Sequence, residues 1–190
     1  NTHYNEALNL EKIFAWHHAM FEKGYSGFSK IKVAEFRGDG SMQVVSGDYG
    51  KENIHYEAPP FDTLEQEMNS FIQWFNETPS SLEKAAITHL WFVIIHPFDD
   101  GNGRITRALT DRVLSKLEKS SFSKIYTMSK SIYEDRIGYY EALDKTTGRF
   151  EKNDPLDITY WMEWFFKTFH PTVIHISEPT RQEETSYAVF

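Results

Sequence analysis

The chain has 190 residues and a mass of 22.3 kDa, which suits one domain with a sizeable core. Its net charge of -8 and pI near 5.5 argue against general binding to nucleic acids or anionic membranes. The absence of cysteine excludes disulfides, thiolate zinc sites and thiol nucleophiles. No apolar stretch approaches the roughly 18 residues of a membrane span, so we expect a soluble, cytoplasmic protein. The first residue is Asn1 rather than methionine, and we expect a domain excised or trimmed from a longer protein.

Hydrophobic periodicity predicts a mostly helical chain with a single domain over residues 1–190. Between residues 24 and 60 the helical period is replaced by glycine-punctuated segments, which predict loops and a short β-hairpin. Beyond residue 170 the period is lost, so residues 171–190 are expected to form a C-terminal extension. The predicted helices span residues 6–23, 62–75, 80–95, 103–117, 129–145 and 156–169.

The stretch with the densest chemistry spans residues 96–107. It combines a histidine, two carboxylates, an asparagine between two glycines, and two arginines, a set suited to handling a phosphate ester. Its sequence is His96-Pro97-Phe98-Asp99-Asp100-Gly101-Asn102-Gly103-Arg104-Ile105-Thr106-Arg107.

This stretch is predicted to join two helices. A buried helix ends at His96, because Pro97 cannot continue it without strain, and apolar residues at helical spacing resume after Gly103. The Gly-Asn-Gly turn then lies at a helix N-terminus, where free N–H groups and the positive dipole end bind anions. Arg104 and Arg107 lie three apart on the new helix, where both can bind phosphate oxygens.

Two side chains of the stretch have further chemistry. Asp100 can hold a magnesium ion that bridges phosphates. His96 can take a proton from an attacking hydroxyl near neutral pH. Each residue alone also has a structural interpretation, with Asp100 as a helix cap and His96 as a helix-end cation. Their co-occurrence favours catalysis.

Residues 96–107 resemble the Fic family signature, His-x-Phe-x-(Asp/Glu)-Gly-Asn-Gly-Arg-x-x-Arg, at every fixed position. The resemblance implies an all-α Fic fold, a helical bundle with a short β-hairpin flap over the active site. It also implies transfer of AMP from ATP to a Ser, Thr or Tyr hydroxyl of a target protein, with His96 as the base and Asp100 as the Mg²⁺ ligand. The residues implied to bind the nucleotide here are Asp100, Gly101, Asn102, Gly103, Arg104 and Arg107.

Residues 54–60 resemble the strand of the family's flap and the Pro-Pro turn that follows it. The flap residues Ile54, His55 and Tyr56 are therefore expected to pair with an extended segment of the target protein.

A later segment resembles the Fic helix that borders the nucleotide pocket. Tyr139 and Tyr140 belong to it, and contact with the nucleotide base and simple packing are equally good interpretations. Family members often place an asparagine where Thr147 stands, so the base preference stays open.

Three other histidines, His17, His18 and His89, are interpreted as structural residues. His17 and His18 are adjacent on a helix, point about 100° apart and cannot both face one small metal ion. We interpret them as ordinary polar-face or core-edge residues. His89 lies seven residues before His96, too far along a helix to share a metal ion, and is expected to be a hydrogen-bonded core residue.

Rival functions follow from the same resemblance. Some family members transfer another phosphate-containing group, phosphorylate their target or remove AMP, and a nucleotide-binding regulatory module without turnover is a further alternative. Many Fic proteins carry an inhibitory helix, (Ser/Thr)-x-x-x-Glu-(Gly/Asn), which is not recognisable here. Inhibition would then come from a partner or from a missing helix of the parent protein, acting through Arg107.

Overall fold

A computed structural model describes residues 6–46, 53–117, 128–148 and 156–177 of the chain. Helices dominate, and the strands form two separate antiparallel pairs. Their bounds are α1 (Leu10–Met20), β1 (Tyr25–Ser26), β2 (Ser29–Lys30), β3 (Gln43–Ser46), β4 (Asn53–Glu57), a short 3-10 helix (Phe61–Thr63), α2 (Leu64–Glu77), α3 (Leu82–Ile95), α4 (Asn102–Ser115), α5 (Met128–Glu134), α6 (Arg136–Thr147) and α7 (Thr159–Ser177).

The predicted all-α architecture with a short β-hairpin is confirmed. The hairpin consists of β3 and β4, paired antiparallel with a bulge between Val44 and Val45. None of the described helices is both long enough and apolar enough to cross a bilayer.

Three predicted boundaries differ in the structure. The predicted helix 129–145 is split at Asp135, whose carboxylate accepts from Gly138 N at 3.0 Å and caps a new helix. The helix predicted from residue 80 begins at Leu82, because the extended backbone at Ser81 lets its hydroxyl accept from Lys84 N at 3.0 Å and cap the helix. The last helix continues through Pro171 to Ser177, so the predicted extension begins within α7.

Helix α3 is the centre of the core, as its nearly continuous apolar sequence predicts. It packs against α2, α4 and α7 and is buried on most of its surface. Trp161 of α7 is fully buried and donates its indole N–H to the carbonyl of Ala86 at 2.8 Å. This bond ties the N-terminal half of α3 to α7, while His96 lies at the opposite, C-terminal end of α3.

The prediction that His89 is a hydrogen-bonded core histidine is confirmed. Its Nδ1 lies 3.1 Å from Thr110 Oγ1, and its Nε2 lies 3.1 Å from the Tyr139 hydroxyl. The ring also stacks on Trp161. Burial lowers the pKa of His89 to about 3, because the charged imidazolium would lose its hydration.

This buried histidine predicts that acid destabilises the fold. The unfolded chain binds a proton at His89 near pH 6.5, whereas the folded chain does so only near pH 3. The contribution is therefore fully present above pH 6.5 and is lost as the pH falls towards 3, by roughly 1.4 kcal/mol per pH unit. We expect the unfolding free energy to fall between pH 7 and pH 5 in urea titrations. His89→Gln should be less stable at pH 7 but lose less on acidification; parallel pH dependences would contradict this assignment.

Candidate active site

His96 lies where α3 ends and has an uncommon backbone conformation. Its φ of 47° and ψ of 57° place it in the left-handed region, which normally favours glycine at a helix C-terminus. Pro97 follows and disfavours helical backbone at the residue before it. The conformation turns the chain away from α3 and is maintained by the surrounding contacts.

The imidazole of His96 has a defined orientation. Its Nδ1 lies 3.2 Å from the carbonyl oxygen of Val93, and since a carbonyl can only accept, Nδ1 carries the hydrogen. This leaves a lone pair on Nε2, to which none of the described residues donates. Burial lowers the pKa of His96 to about 4. The bond to Val93 opposes this shift, whereas the nearby charge of Arg37 adds to it. The ring is therefore neutral near pH 7. A neutral histidine with an available Nε2 can act as a base.

The loop after His96 is closed by Asn102. The side-chain oxygen of Asn102 accepts from Phe98 N at 3.0 Å, and its amide nitrogen donates to Phe98 O at 2.7 Å. Asn102 is buried, and the ring of Phe98 is fully buried and stacked on His17. The Asn102 side chain is thus committed to the loop, and Phe98 anchors the loop inside the core.

Asp100 presents a half-exposed carboxylate at the start of α4. Its Oδ1 accepts from Gly101 N at 2.5 Å, and its Oδ2 accepts from the hydroxyl of Ser26 in β1. Oδ2 also lies 4.0 Å from Arg104 Nη2. No cluster of three or more metal-ligating side chains occurs in the described residues. A lone accessible carboxylate fits a Mg²⁺ ion whose other ligands are phosphate oxygens and water.

Gly101 makes the sharp turn into α4 and has a φ of 86°. A Cβ atom at this position would lie 2.7 Å from Cε2 of Phe21. Both the backbone angle and the close approach therefore require glycine.

The Gly101→Ala variant is expected to be less stable than Gly24→Ala. Gly24 has a similar φ of 73°, but a Cβ atom added there would meet nothing within 4 Å, so it reports the backbone cost of about 1–2 kcal/mol alone. The alanine at position 101 adds the clash with Phe21 to the same cost. Thermal unfolding of the two variants measures the difference in stability. Equal melting temperatures would show that the Phe21 ring moves aside without a cost in stability.

The N-terminus of α4 gathers positive groups for an anion. In the described structure, the N–H groups of Asn102 and Gly103 have no protein acceptor. The Arg104 guanidinium lies over the Phe21 ring, 4.5 Å from its centroid, and Arg107 Nη1 lies 3.3 Å from where a Cβ atom on Gly103 would be. Two free N–H groups and two guanidinium groups thus surround the first turn of α4, as an oligophosphate requires.

The two tyrosines of α6 differ in environment. Tyr139 is buried in the aromatic core and hydrogen-bonds to His89, which fits the packing interpretation. Tyr140 is partly exposed, with the Arg136 guanidinium 5.8 Å from its ring centroid.

The hairpin meets α3 through Tyr56, whose hydroxyl donates to the carbonyl of Ile94. The side chains of Ile54 and His55 lie outside the described residues. A cavity of about 1050 Å³ lies between β4, the 3-10 helix and the ends of α3 and α6, with Thr147 in its wall. Its described lining includes no residue from 96–107.

Two residues that support the site were missed by sequence reasoning. His17 is buried; its Nδ1 accepts from Ala34 N at 3.2 Å, and its Nε2 donates to Asp100 O at 3.0 Å. Arg37 is buried beside His96, and its Nε donates to the His96 carbonyl at 3.0 Å. The apolar face of α1 signalled burial of His17, but nothing in the local sequence signalled either contact.

The sequence profile of the Fic/DOC family matches residues 7–114, which include α1, the hairpin and the whole 96–107 stretch. This chain belongs to the Fic/DOC family. It is 36% identical over 145 residues to protein adenylyltransferase Fic of Nematostella vectensis, covering 74% of this chain and 29% of that protein.

Two further Fic proteins show the extent of the similarity. Protein adenylyltransferase fic-1 of Caenorhabditis elegans is 32% identical over 82 residues, covering 41% of this chain and 15% of that protein. A crystal structure of a Fic family protein from Desulfovibrio desulfuricans G20 superposes with a TM-score of 0.66 at 22% identity, over 93% of this chain and 50% of that one. The chain thus spans less than a third of either curated relative, and the structural match shows the Fic fold.

Proposed function

We propose that this Fic domain is a protein adenylyltransferase that transfers AMP from ATP to a Ser, Thr or Tyr hydroxyl of a target protein. The observation that carries the proposal is the neutral His96, with a free Nε2, beside the anion site of α4. The names of the Nematostella and Caenorhabditis relatives, both called protein adenylyltransferases, support the same chemistry.

In the proposed reaction, His96 Nε2 takes the proton of the target hydroxyl as its oxygen attacks the α-phosphorus in line. A new P–O bond to the target forms, the bond between the α-phosphorus and the bridging oxygen breaks, and pyrophosphate leaves. The N–H groups of Asn102 and Gly103, with Arg104 and Arg107, stabilise the negative charge of the phosphates.

Asp100 is the proposed ligand of a nucleotide-bound Mg²⁺. When bound, the ion neutralises phosphate charge. Ser26 and the Gly101 N–H keep the carboxylate oriented towards the first turn of α4.

Recognition of the two substrates is assigned to the walls of the site. Backbone groups of the flap, at Ile54, His55 and Tyr56, hold an extended target segment by strand addition. Tyr140 is the better of the two α6 tyrosines for contact with the base, since Tyr139 is buried and bonded to His89. Retention of ATP affinity in Tyr140→Ala would count against the Tyr140 contact.

Parallel incubations with α-labelled and γ-labelled ATP, Mg²⁺ and a cell lysate test the activity. Transfer of the α label alone is expected for adenylylation. Transfer of the γ label would identify phosphorylation, and ATP binding without any transferred label would favour a regulatory module.

Regulation is proposed to act on Arg107 through an inhibitory glutamate supplied by a partner or by another part of the parent protein. The partly exposed position of Arg107 above the first turn of α4 leaves it accessible to such a group. A glutamate-containing inhibitory peptide should suppress AMP transfer by the wild type. If the peptide suppresses the residual transfer activity of Arg107→Ala as strongly as that of the wild type, inhibition does not act through Arg107.

A further inference from the structure

Arg37 is a buried cation that touches the turn containing His96. Its side chain is 1% exposed, in the segment between β2 and β3. Its Nε donates to the carbonyl of His96 at 3.0 Å, and its Nη2 donates to the carbonyl of Pro59 just after β4. Its own backbone N–H donates to the carbonyl of Pro97 at 2.9 Å. One residue therefore bridges the His96–Pro97 turn and the base of the hairpin.

The partners of this guanidinium are unusual for a buried charge. Within the described part of the chain, no carboxylate lies within 4.0 Å of Arg37. Its side-chain hydrogen bonds go to main-chain carbonyls, which compensate only part of the cost of burying a charge. The role of Arg37 therefore follows from the main-chain segments whose carbonyls it holds in place.

The positioned element is the strained turn at His96. The left-handed backbone of His96 directs its carbonyl away from the helix axis, so the carbonyl needs a donor from outside α3. Arg37 is that donor, while the Tyr56 hydroxyl satisfies the nearby carbonyl of Ile94. Both donors come from the segment that forms the hairpin and its approach.

We propose that Arg37 is a positioning residue for the reaction: by clamping the carbonyls of His96, Pro97 and Pro59, it holds the His96 ring in its productive orientation and ties that orientation to the flap base. This role rests on the proposed function, because it is the proton transfer by His96 that the clamp serves. The fork of an arginine spans two carbonyls at once, whereas the single nitrogen of a lysine is a point donor.

Two substitutions at Arg37 test this role against a matched control. Arg37→Met removes both side-chain bonds, and Arg37→Lys keeps the charge but not the fork. The control is Arg112→Met in α4, which removes another buried guanidinium that donates to a main-chain carbonyl, that of Glu6. The readouts are the labelling rate of lysate proteins at saturating α-labelled ATP and the dissociation constant of ATP.

Both Arg37 variants are expected to label proteins roughly 10–100-fold more slowly than the wild type, since small misplacement of a reacting group has effects of this order. ATP affinity should change less than about threefold, because the hydrogen bonds of Arg37 in the described part of the chain go to His96, Pro97 and Pro59 and not to the first turn of α4. Arg112→Met, compared at a temperature where it remains folded, should label at the wild-type rate. Should Arg37→Met fail to fold, Arg37→Lys decides alone, and a wild-type rate in it overturns the proposal.

Nitrogen-15 spectra of the histidine rings provide a readout that needs no activity. In the wild type and Arg112→Met, His96 should occupy the tautomer with hydrogen on Nδ1; in the Arg37 variants a mixture is expected. An unchanged His96 spectrum together with unchanged labelling in the Arg37 variants overturns the positioning role. If the wild type itself transfers no label, the proposed function fails, and the spectra alone still decide whether Arg37 positions the ring.

Discussion

Replacing His96 by alanine is expected to lower AMP transfer about 10²–10⁴-fold, the usual contribution of a positioned base, without weakening ATP binding. The physical reason is that different elements of the site bind the phosphates and supply the base. The anion-binding groups belong to the first turn of α4, whereas His96 ends α3 and contributes its Nε2 alone. Initial labelling rates and ATP titrations of the same preparation separate the two effects.

The control for this experiment is His18→Ala. His18 is exposed on α1, and its loss removes an imidazole of the same chemistry without touching the 96–107 loop. Its labelling rate should equal that of the wild type. If the labelling rate falls to a comparable extent in both variants, or if His96→Ala labels at the wild-type rate, His96 is not the base.

Asn102→Ala is expected to abolish most of the transfer activity although the Asn102 side chain is not assigned to the chemistry. Its amide makes two hydrogen bonds with the main chain of Phe98, and both lie in the buried loop between the base and the anion site. Losing them leaves buried groups unpaired, at a cost of about 1–3 kcal/mol each. We expect a lower melting temperature and a labelling rate reduced on the order of 10²-fold, as misplacement of His96 relative to α4 implies.

Asn76 supplies a matched control, because it makes the same pair of bonds elsewhere. Its Oδ1 accepts from Leu8 N at 2.8 Å and its Nδ2 donates to Leu8 O at 2.8 Å. Asn76→Ala should therefore lose stability while it retains labelling at temperatures where the domain is folded. If Asn102→Ala is destabilised but labels like Asn76→Ala, the loop does not need its clamp for catalysis.

The sequence alone was sufficient for the parts of the site that are local. The end of α3 at His96 follows from Pro97, because backbone sterics act over a few residues, and α4, predicted from residue 103, begins at Asn102. The predicted hairpin was also found, since an interrupted helical period with β-forming residues is a local signal. These elements place the base and the anion site at the two ends of one short loop.

The remaining parts depend on contacts between distant segments. Arg37 reaches His96 across 59 positions, and His17 reaches Asp100 across 83. Periodicity cannot reveal such contacts, because it reports which face of an element is buried and not what it meets. The same limit applies to Asn102: the sequence predicts that this residue helps to bind the nucleotide but does not reveal that its side chain holds Phe98. The sequence placed Asn102 correctly in the loop, but only the packed structure shows where its amide points.

The most direct test of the central claim is mass spectrometry of a protein labelled by this domain with ATP and Mg²⁺. We expect an adduct of one AMP moiety on a Ser, Thr or Tyr side chain, with pyrophosphate released in equal amount, and adduct formation about 10²–10⁴-fold slower with His96→Ala. A phosphoryl adduct, or an AMP adduct that persists at the wild-type level in His96→Ala, would contradict it.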